Sequence, residues 1–200
     1  MIESSLRPLF QRVFIQPLLH IGARHLPANA ITVTSLITGF ISAFFLSAEF
    51  NFMAILLLLI SGYLDILDGS VARMQNNSTH FGTVLDILSD RLVESFIVIA
   101  LFIRDPNLAF VCLLMMMSML VCVSSFLLVG IFSEKQENKS EKSFYYSPGL
   151  MERAEAFIFF IAMIIFNQLA LIIGIVFTLL VLWTTGVRVY QFYKQSNESK

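Results

Sequence analysis

Charged residues and cysteines are both scarce in this sequence. Only 14% of the 200 residues are charged, whereas 57% are hydrophobic, and the mean hydropathy is +0.79. This composition excludes an ordinary soluble domain and is typical of an integral membrane protein. The two cysteines, Cys112 and Cys122, fall in one apolar stretch, too far apart along a helix to form a disulfide with each other. We interpret them as packing residues.

Features of several other protein classes are also missing. The first apolar run follows about thirty residues and lacks the short hydrophobic region and small-residue cleavage site of a signal peptide. We recognise no internal repeat and no second soluble domain, and we expect no nucleic-acid partner. The sequence therefore predicts a single membrane domain over residues 1–200.

Long apolar runs dominate what the sequence does contain. Each is about long enough to cross the hydrocarbon layer as a helix, the fifth only marginally. Their approximate bounds are 31–48, 52–72, 83–103, 108–132, 154–167 and 169–190. We therefore predict an all-α integral membrane bundle of six transmembrane helices.

Two segments outside these runs have their own character. Residues 1–26 carry apolar side chains near helical spacing, with Arg7 and Arg12 between them. This pattern predicts an interfacial amphipathic helix on anionic headgroups, with docking of the segment onto the bundle as an equal alternative. Residues 133–149 are rich in Glu and Lys, and we expect a cytoplasmic loop there.

The distribution of Lys and Arg predicts the orientation in the membrane. With a cytoplasmic N-terminus, most basic residues lie at or near the inner face, and only Arg104 lies outside. The basic residues assigned to the inner face are Arg7, Arg12, Arg24, Arg73, Lys135, Lys139, Lys142, Arg153, Arg188, Lys194 and Lys200. Both termini and the acidic residues discussed next are then cytoplasmic. The compact size of the chain favours the bacterial inner membrane over an organelle.

Four aspartates lie at the edges of two apolar stretches. The sequence reads D-I-L-D-G-S-V-A-R from Asp65 and, after eight further residues, G-T-V-L-D-I-L-S-D as far as Asp90. Burying unpaired carboxylates in or beside lipid is costly, so cations are their natural partners. Asp65 and Asp68 are three residues apart and Asp86 and Asp90 four, so each pair projects from one helical face. Two such faces turned together form a cage of oxygens.

Oxygen ligands of this kind predict a site for a hard divalent cation. They suit Mg²⁺, Mn²⁺ or Ca²⁺, whereas zinc would draw on Cys or His, of which this region has only His80. Four carboxylates exceed what one Mg²⁺ requires, so we expect two ions about 3.5 to 4 Å apart. The structural alternative is an ion network of the aspartates with Arg73 and Arg91, but two cations do not balance four anions.

Small residues and a cation accompany the aspartates. Glycine inside a helix costs about 1 kcal/mol relative to alanine, so Gly69 and Gly82 suggest that something bulky approaches the backbone. Ala72 adds a second small side chain to the same helical face, Arg73 supplies a cation for a phosphate oxygen, and Thr79 adds a hydroxyl at the loop. Together with two metal ions, these residues indicate a pyrophosphate site.

The whole block fits the pattern D-x2-D-G-x2-A-R-x8-G-x3-D-x3-D at every specified position. It therefore resembles the CDP-alcohol phosphatidyltransferase family of integral membrane enzymes. The close match covers about 26 residues, and the predicted six-helix layout and the size of the chain are similar too. So many fixed residues at fixed spacing across two helices make the resemblance a specific one.

The resemblance implies a role for each matched residue. Asp65 and Asp86 would hold both metals (Mg²⁺ or Mn²⁺), Asp68 would hold one, and Asp90 would contact the other. Asp90 would also be the general base that deprotonates the acceptor alcohol, which attacks the β-phosphate of a CDP-linked lipid. The residues that would line the cytidine diphosphate pocket are Gly69, Ala72, Arg73 and Gly82, with Thr79 beside them.

Two weaker similarities extend this set of residues. Family members carry a Thr shortly after a Pro-Asn or Pro-Asp pair, and here Asn29 and Thr32 follow Pro27 with one inserted Ala. They would contact the nucleotide, or Asn29 is merely the N-cap of the first helix. The sequence around Arg153 resembles a stretch that opens the fifth helix in inositol-phosphate-type members, which would make Arg153 an acceptor-binding residue. However, residues 123–130 lack the basic side chains expected there for a phosphorylated acceptor.

The resemblance thus implies an enzyme that moves a phosphatidyl group from CDP-diacylglycerol to a small hydroxyl acceptor and releases CMP. One alternative is a CDP-aminoalcohol phosphotransferase that acts on diacylglycerol, since the acidic motif is shared. Another is a protein that binds or transports divalent cations. The resemblance also implies a homodimer, whereas the identity of the acceptor alcohol stays open.

Overall fold

The computed structural model describes residues 26–75, 79–137 and 153–198. These residues form six α-helices and no strand, which confirms the all-α class. The helices are α1 Ala28–Ser47, α2 Asn51–Met74, α3 His80–Arg104, α4 Ala109–Glu137, α5 Arg153–Ile165 and α6 Ala170–Glu198. Short 3-10 turns, Pro106–Leu108 and Asn167–Leu169, precede α4 and α6. The predicted interfacial helix over 1–26 lies almost wholly outside the described residues.

Four of the described helices, α1, α2, α4 and α6, are long and apolar enough to cross a membrane. Helix α3 has 25 residues, but acidic and basic side chains interrupt its apolar sequence. Helix α5 has only 13 residues, and a span needs about 20. The predicted loop over 133–149 begins too early, because α4 continues to Glu137.

Helix α1 packs against both α2 and α3. Ser35 and Ser61 exchange hydrogen bonds across the α1–α2 contact: each hydroxyl donates to the other residue's backbone carbonyl, at 2.8 and 2.9 Å. Gly39 permits the close approach of α1 to α3, since a Cβ there would lie 2.6 Å from a methyl group of Val93. These contacts fix α1 beside the ends of α2 and α3 that carry the aspartates.

Helix α6 packs against α4 and α5, and α5 also contacts α2. The fully buried side chains Met115, Phe160 and Phe177 come from α4, α5 and α6, and the rings of Phe160 and Phe177 lie 5.7 Å apart. Since van der Waals packing between side chains holds helices together inside a membrane, this core anchors the short α5. Its N-terminal residue, Arg153, is thereby held beside α2 and α3.

Candidate active site

Three of the four aspartates converge in the space between α2 and α3. Asp65 and Asp68 come from α2 and Asp86 from α3, and one carboxylate oxygen of each lies within 4.8 Å of the others. Asp65 and Asp68 project from one face of α2 because they are three residues apart, and Asp86 of α3 lies opposite that face. Three carboxylates at this separation form a donor set that fits a hard divalent cation.

Thr32 of α1 fixes the orientation of Asp68. Its hydroxyl lies 2.5 Å from Asp68 Oδ2 and 3.1 Å from the backbone carbonyl of Ala28. Both Thr32 and Asp68 are only 4% exposed. Because a hydroxyl carries a single proton, the shorter bond to the charged carboxylate is the one it donates to. Thr32, predicted as a nucleotide contact, therefore also touches a candidate metal ligand.

The fourth aspartate, Asp90, lies outside this group of three and forms an ion pair with Arg153 at 2.5 Å. The Arg153 guanidinium also forms an ion pair with Asp65 and lies 5.3 Å from the ring centroid of Phe157. One cation from α5 thus bridges an aspartate of α2 and an aspartate of α3. Sequence reasoning had assigned Arg153 to the acceptor and had not identified it as a partner of the aspartates.

Arg91 pairs along its own helix with Glu94, at 2.6 Å. Glu94 is 3% exposed, whereas the Arg91 side chain is 34% exposed, so the ion pair neutralises a buried carboxylate. The residues are three apart on α3, which is the spacing at which side chains meet on a helix. Arg91 therefore neutralises Glu94 and not the four aspartates, contrary to the ion-network alternative.

A cavity of about 180 Å³ adjoins the carboxylates. It lies among the start of α1, the end of α2 and the start of α3, and every residue predicted to contact the nucleotide lines it. These residues are Asn29, Thr32, Gly69, Ala72, Arg73, Thr79 and Gly82, and Asp68 and Asp86 lie in the same wall. The cavity thus joins small side chains, a cation and two candidate metal ligands.

The start of α3 shapes one side of the cavity. Thr79 is the N-cap of α3, and its hydroxyl accepts a hydrogen bond of 3.0 Å from the backbone N–H of Gly82. A Cβ on Gly82 would lie 3.1 Å from both Asn29 Oδ1 and Thr79 Oγ1. A side chain at position 82 would therefore crowd both the start of α1 and the N-cap of α3.

The start of α1 decides between the two interpretations of Asn29. The N-cap of α1 is Pro27, and Asn29 is already inside the helix. Asn29 is therefore not the helix cap, and its side chain lines the cavity instead.

Sequence reasoning missed two residues of the cavity and the two ion pairs of Arg153. Ala28 and Thr83 also line the cavity. They follow Pro27 and Gly82 directly, so their proximity to recognised positions was an available signal. The pairing of Arg153 with Asp65 and Asp90 joins residues far apart in the chain, and no local spacing indicates it.

Comparison with known proteins gives a consistent result along the chain. The family model described as CDP-alcohol phosphatidyltransferase matches residues 25–189. An uncharacterized protein of Aquifex aeolicus is 30% identical over 97% of this chain and 96% of its own length. An archaetidylinositol phosphate synthase of Methanothermobacter thermautotrophicus is 38% identical over 49% of each chain. The inner membrane protein YnjF of Escherichia coli is 28% identical over 96% of each chain.

Solved structures share the fold. The phosphatidylinositol phosphate synthase of Mycobacterium tuberculosis with CDP-DAG bound superposes with a TM-score of 0.69 at 20% identity, over 91% of this chain and 94% of that one. A structure of the same protein in complex with manganese and citrate gives a TM-score of 0.68 at 19% identity, over 90% and 87% of the two chains. With the family model matching most of the sequence and the motif aspartates converging beside one cavity, the chain belongs to the CDP-alcohol phosphatidyltransferase family of membrane enzymes.

Proposed function

We propose that this enzyme transfers a phosphatidyl group from CDP-diacylglycerol to the hydroxyl group of a small acceptor alcohol and releases CMP. One observation carries the proposal: the carboxylates of Asp65, Asp68 and Asp86 converge beside a cavity that all seven predicted nucleotide-contacting residues line. A structural neighbour with CDP-DAG bound supports the same class of donor.

The residues of the cavity would hold the cytidine diphosphate. Gly69, Ala72 and Gly82 leave room for the nucleotide, and Asn29 and Thr79 offer polar atoms to it. Arg73 would supply a cation to the diphosphate oxygens from the edge of α2. The lipid chains of the donor would then extend between helices towards the bilayer.

The carboxylates of Asp65, Asp68 and Asp86 would hold Mg²⁺ or Mn²⁺, and we propose that Asp90 contributes to a second site. When bound, these ions supply positive charge that neutralises the diphosphate and stabilises the departing CMP. A family neighbour in complex with manganese supports this choice of metal. Thr32 would keep Asp68 in the orientation that binding requires, because its hydroxyl bonds to one carboxylate oxygen.

Asp90 would act as the general base. It would take the proton from the acceptor hydroxyl, whose oxygen would then attack the β-phosphate as the bond to CMP breaks. Arg153 contacts Asp90, so an acceptor that reaches this base also reaches a guanidinium able to bind a phosphate or hydroxyl oxygen. The archaeal relative is an archaetidylinositol phosphate synthase and the mycobacterial neighbour is a phosphatidylinositol phosphate synthase, so inositol phosphate is the first acceptor to test.

The finer features of the membrane arrangement belong to the same proposal. We infer six membrane spans, with α3 and α5 crossing inside the bundle. We also infer that both termini and the active site are cytoplasmic, since Lys and Arg concentrate at the end of the helices where these lie. An inner membrane relative supports a bacterial inner membrane location. We further infer a homodimer, which size-exclusion chromatography with light scattering in detergent would test.

The experiment that tests the proposed function measures CMP release from alternative donors. Purified protein is incubated with Mg²⁺ or Mn²⁺ and one donor–acceptor combination. In the first set, CDP-diacylglycerol is the donor and inositol phosphate, glycerol 3-phosphate or serine is the acceptor. In the second set, CDP-choline or CDP-ethanolamine is the donor and diacylglycerol is the acceptor. We expect metal-dependent CMP release only with CDP-diacylglycerol. Release only from the CDP-aminoalcohols would contradict the proposal. Uptake of divalent cations into proteoliposomes, without CMP release from any donor, would favour a transport protein.

A further inference from the structure

Arg153 occupies an unusual position for a substrate-binding arginine. Its guanidinium forms ion pairs with Asp65 of α2 and Asp90 of α3, and its side chain is only 14% exposed. The ring of Phe157, one turn along α5, lies 5.3 Å from it. The guanidinium is therefore held by two carboxylates and an aromatic ring.

Asp65 belongs to two groups at once. One of its oxygens lies within 4.8 Å of oxygens of Asp68 and Asp86, in the set that fits a divalent cation, and its Oδ2 is paired with Arg153. A guanidinium and a divalent cation repel each other, and a carboxylate oxygen engaged by one is less available to the other. The two cations therefore compete for Asp65.

We propose that Arg153 is an internal counter-ion of the metal site, which neutralises Asp65 and Asp90 until a divalent cation displaces it from Asp65. This inference rests on the proposed metal site but concerns a different property, namely the affinity of the apoprotein for the ion. The arginine lowers that affinity, and it stabilises the metal-free protein because two partly buried carboxylates are otherwise left unpaired.

The proposal predicts that removing the positive charge tightens metal binding. The full chain in detergent, without nucleotide or acceptor, is titrated with Mn²⁺, and the free ion is measured by electron paramagnetic resonance. Arg153→Gln and Arg153→Met should each bind Mn²⁺ at least about tenfold more tightly than the wild type. The reason is that the repulsion between two unit charges a few ångströms apart inside a protein exceeds the free energy that corresponds to a tenfold change in affinity. Arg153→Lys keeps the charge and should stay within about threefold of the wild type.

Arg188→Gln is the matched control. It also removes one arginine, but the Arg188 guanidinium donates to the backbone carbonyl of Cys122 and to the Ser125 hydroxyl, each at 3.0 Å, on α4. Its Mn²⁺ affinity should equal that of the wild type. As a second readout, Mn²⁺ should raise the thermal midpoint of Arg153→Gln and Arg153→Met by more than it raises that of the wild type.

The outcomes separate this inference from the proposed function. If the wild type binds Mn²⁺, Asp68→Asn does not, and the Arg153→Gln and Arg153→Met variants bind it equally or more weakly than the wild type, then the metal site stands and the counter-ion proposal is overturned. In that case Arg153 orients the ligands. If neither the wild type nor the Arg153 variants bind Mn²⁺ at millimolar concentration, the metal site fails and both proposals fall with it.

Discussion

Replacing Thr32 with valine would remove the hydroxyl group that contacts Asp68 while keeping nearly the same side-chain volume. In the wild type, the Thr32 hydroxyl lies 2.5 Å from Asp68 Oδ2, and both residues are 4% exposed. Valine leaves that oxygen buried without its donor. Asp68 can then rotate or take up a proton, and either change removes a charged oxygen from the orientation that a metal ion needs.

The magnitude of the effect follows from this one hydrogen bond. A hydrogen bond to a charged group contributes about 1.5 to 3 kcal/mol, and about 1.4 kcal/mol corresponds to a tenfold change in an equilibrium constant. We therefore expect Thr32→Val to weaken Mn²⁺ binding about 10- to 100-fold, in the range found for residues that support metal ligands elsewhere. Thr32→Ser retains the hydroxyl and should recover most of the affinity.

The assay is the Mn²⁺ titration of the purified protein in detergent, with Thr34→Val as control. Thr34 lies on the same helix, and its hydroxyl donates to the carbonyl of Ala30 at 2.8 Å on the exposed side. Its replacement should therefore leave Mn²⁺ affinity unchanged. If the folded Thr32→Val variant binds Mn²⁺ with an affinity within about threefold of that of the wild type, the reasoning that Thr32 supports Asp68 is refuted.

Three further predictions follow from the same region. Gly82→Ala places a Cβ 3.1 Å from two side-chain oxygens in the cavity, so the KM for the CDP-linked donor should rise about tenfold, whereas Gly186→Ala, with open space around it, should leave KM unchanged. Arg91→Met leaves the buried Glu94 unpaired and should destabilise the protein by about 3 kcal/mol. Glu94→Gln should destabilise it less, because the Arg91 side chain reaches solvent. Thermal unfolding of both variants measures the difference, and equal midpoints would contradict this prediction. Chelation by EDTA should abolish CMP release, and Mn²⁺ should restore it; release that persists in EDTA would exclude a metal requirement.

Local pattern was sufficient to predict most of the helices and the core of the site. Long apolar runs predicted α1, α2, α4 and α6 because a membrane span needs a minimum length of uninterrupted hydrophobic sequence. The spacing of the aspartates predicted that Asp65 and Asp68 face Asp86, because residues three and four apart share a helical face, but Asp90 lies outside this group. The motif residues around them all line one cavity for the same reason.

Contacts between distant segments were not predictable in this way. Arg153 reaches Asp65 and Asp90 only because the apolar packing of α5 holds its first residue beside α2 and α3. The bond between Thr32 and Asp68 likewise depends on how closely α1 approaches α2. The predicted loop began too early because the charged residues in 133–137 were interpreted as part of it. Glu and Lys are good helix formers, and α4 continues to Glu137.

The most direct test of the central claim compares CMP release by the wild type and Asp90→Asn, with CDP-diacylglycerol, Mg²⁺ or Mn²⁺ and a panel of acceptor alcohols. The proposed mechanism predicts metal-dependent release by the wild type with one acceptor. It also predicts a loss of at least about 100-fold in Asp90→Asn, since a positioned general base contributes about 10²- to 10⁴-fold, while Mn²⁺ binding by the variant is largely retained. Near-normal turnover by Asp90→Asn would contradict the assignment of the base, and no CMP release by folded, metal-bound wild type would contradict the proposed reaction.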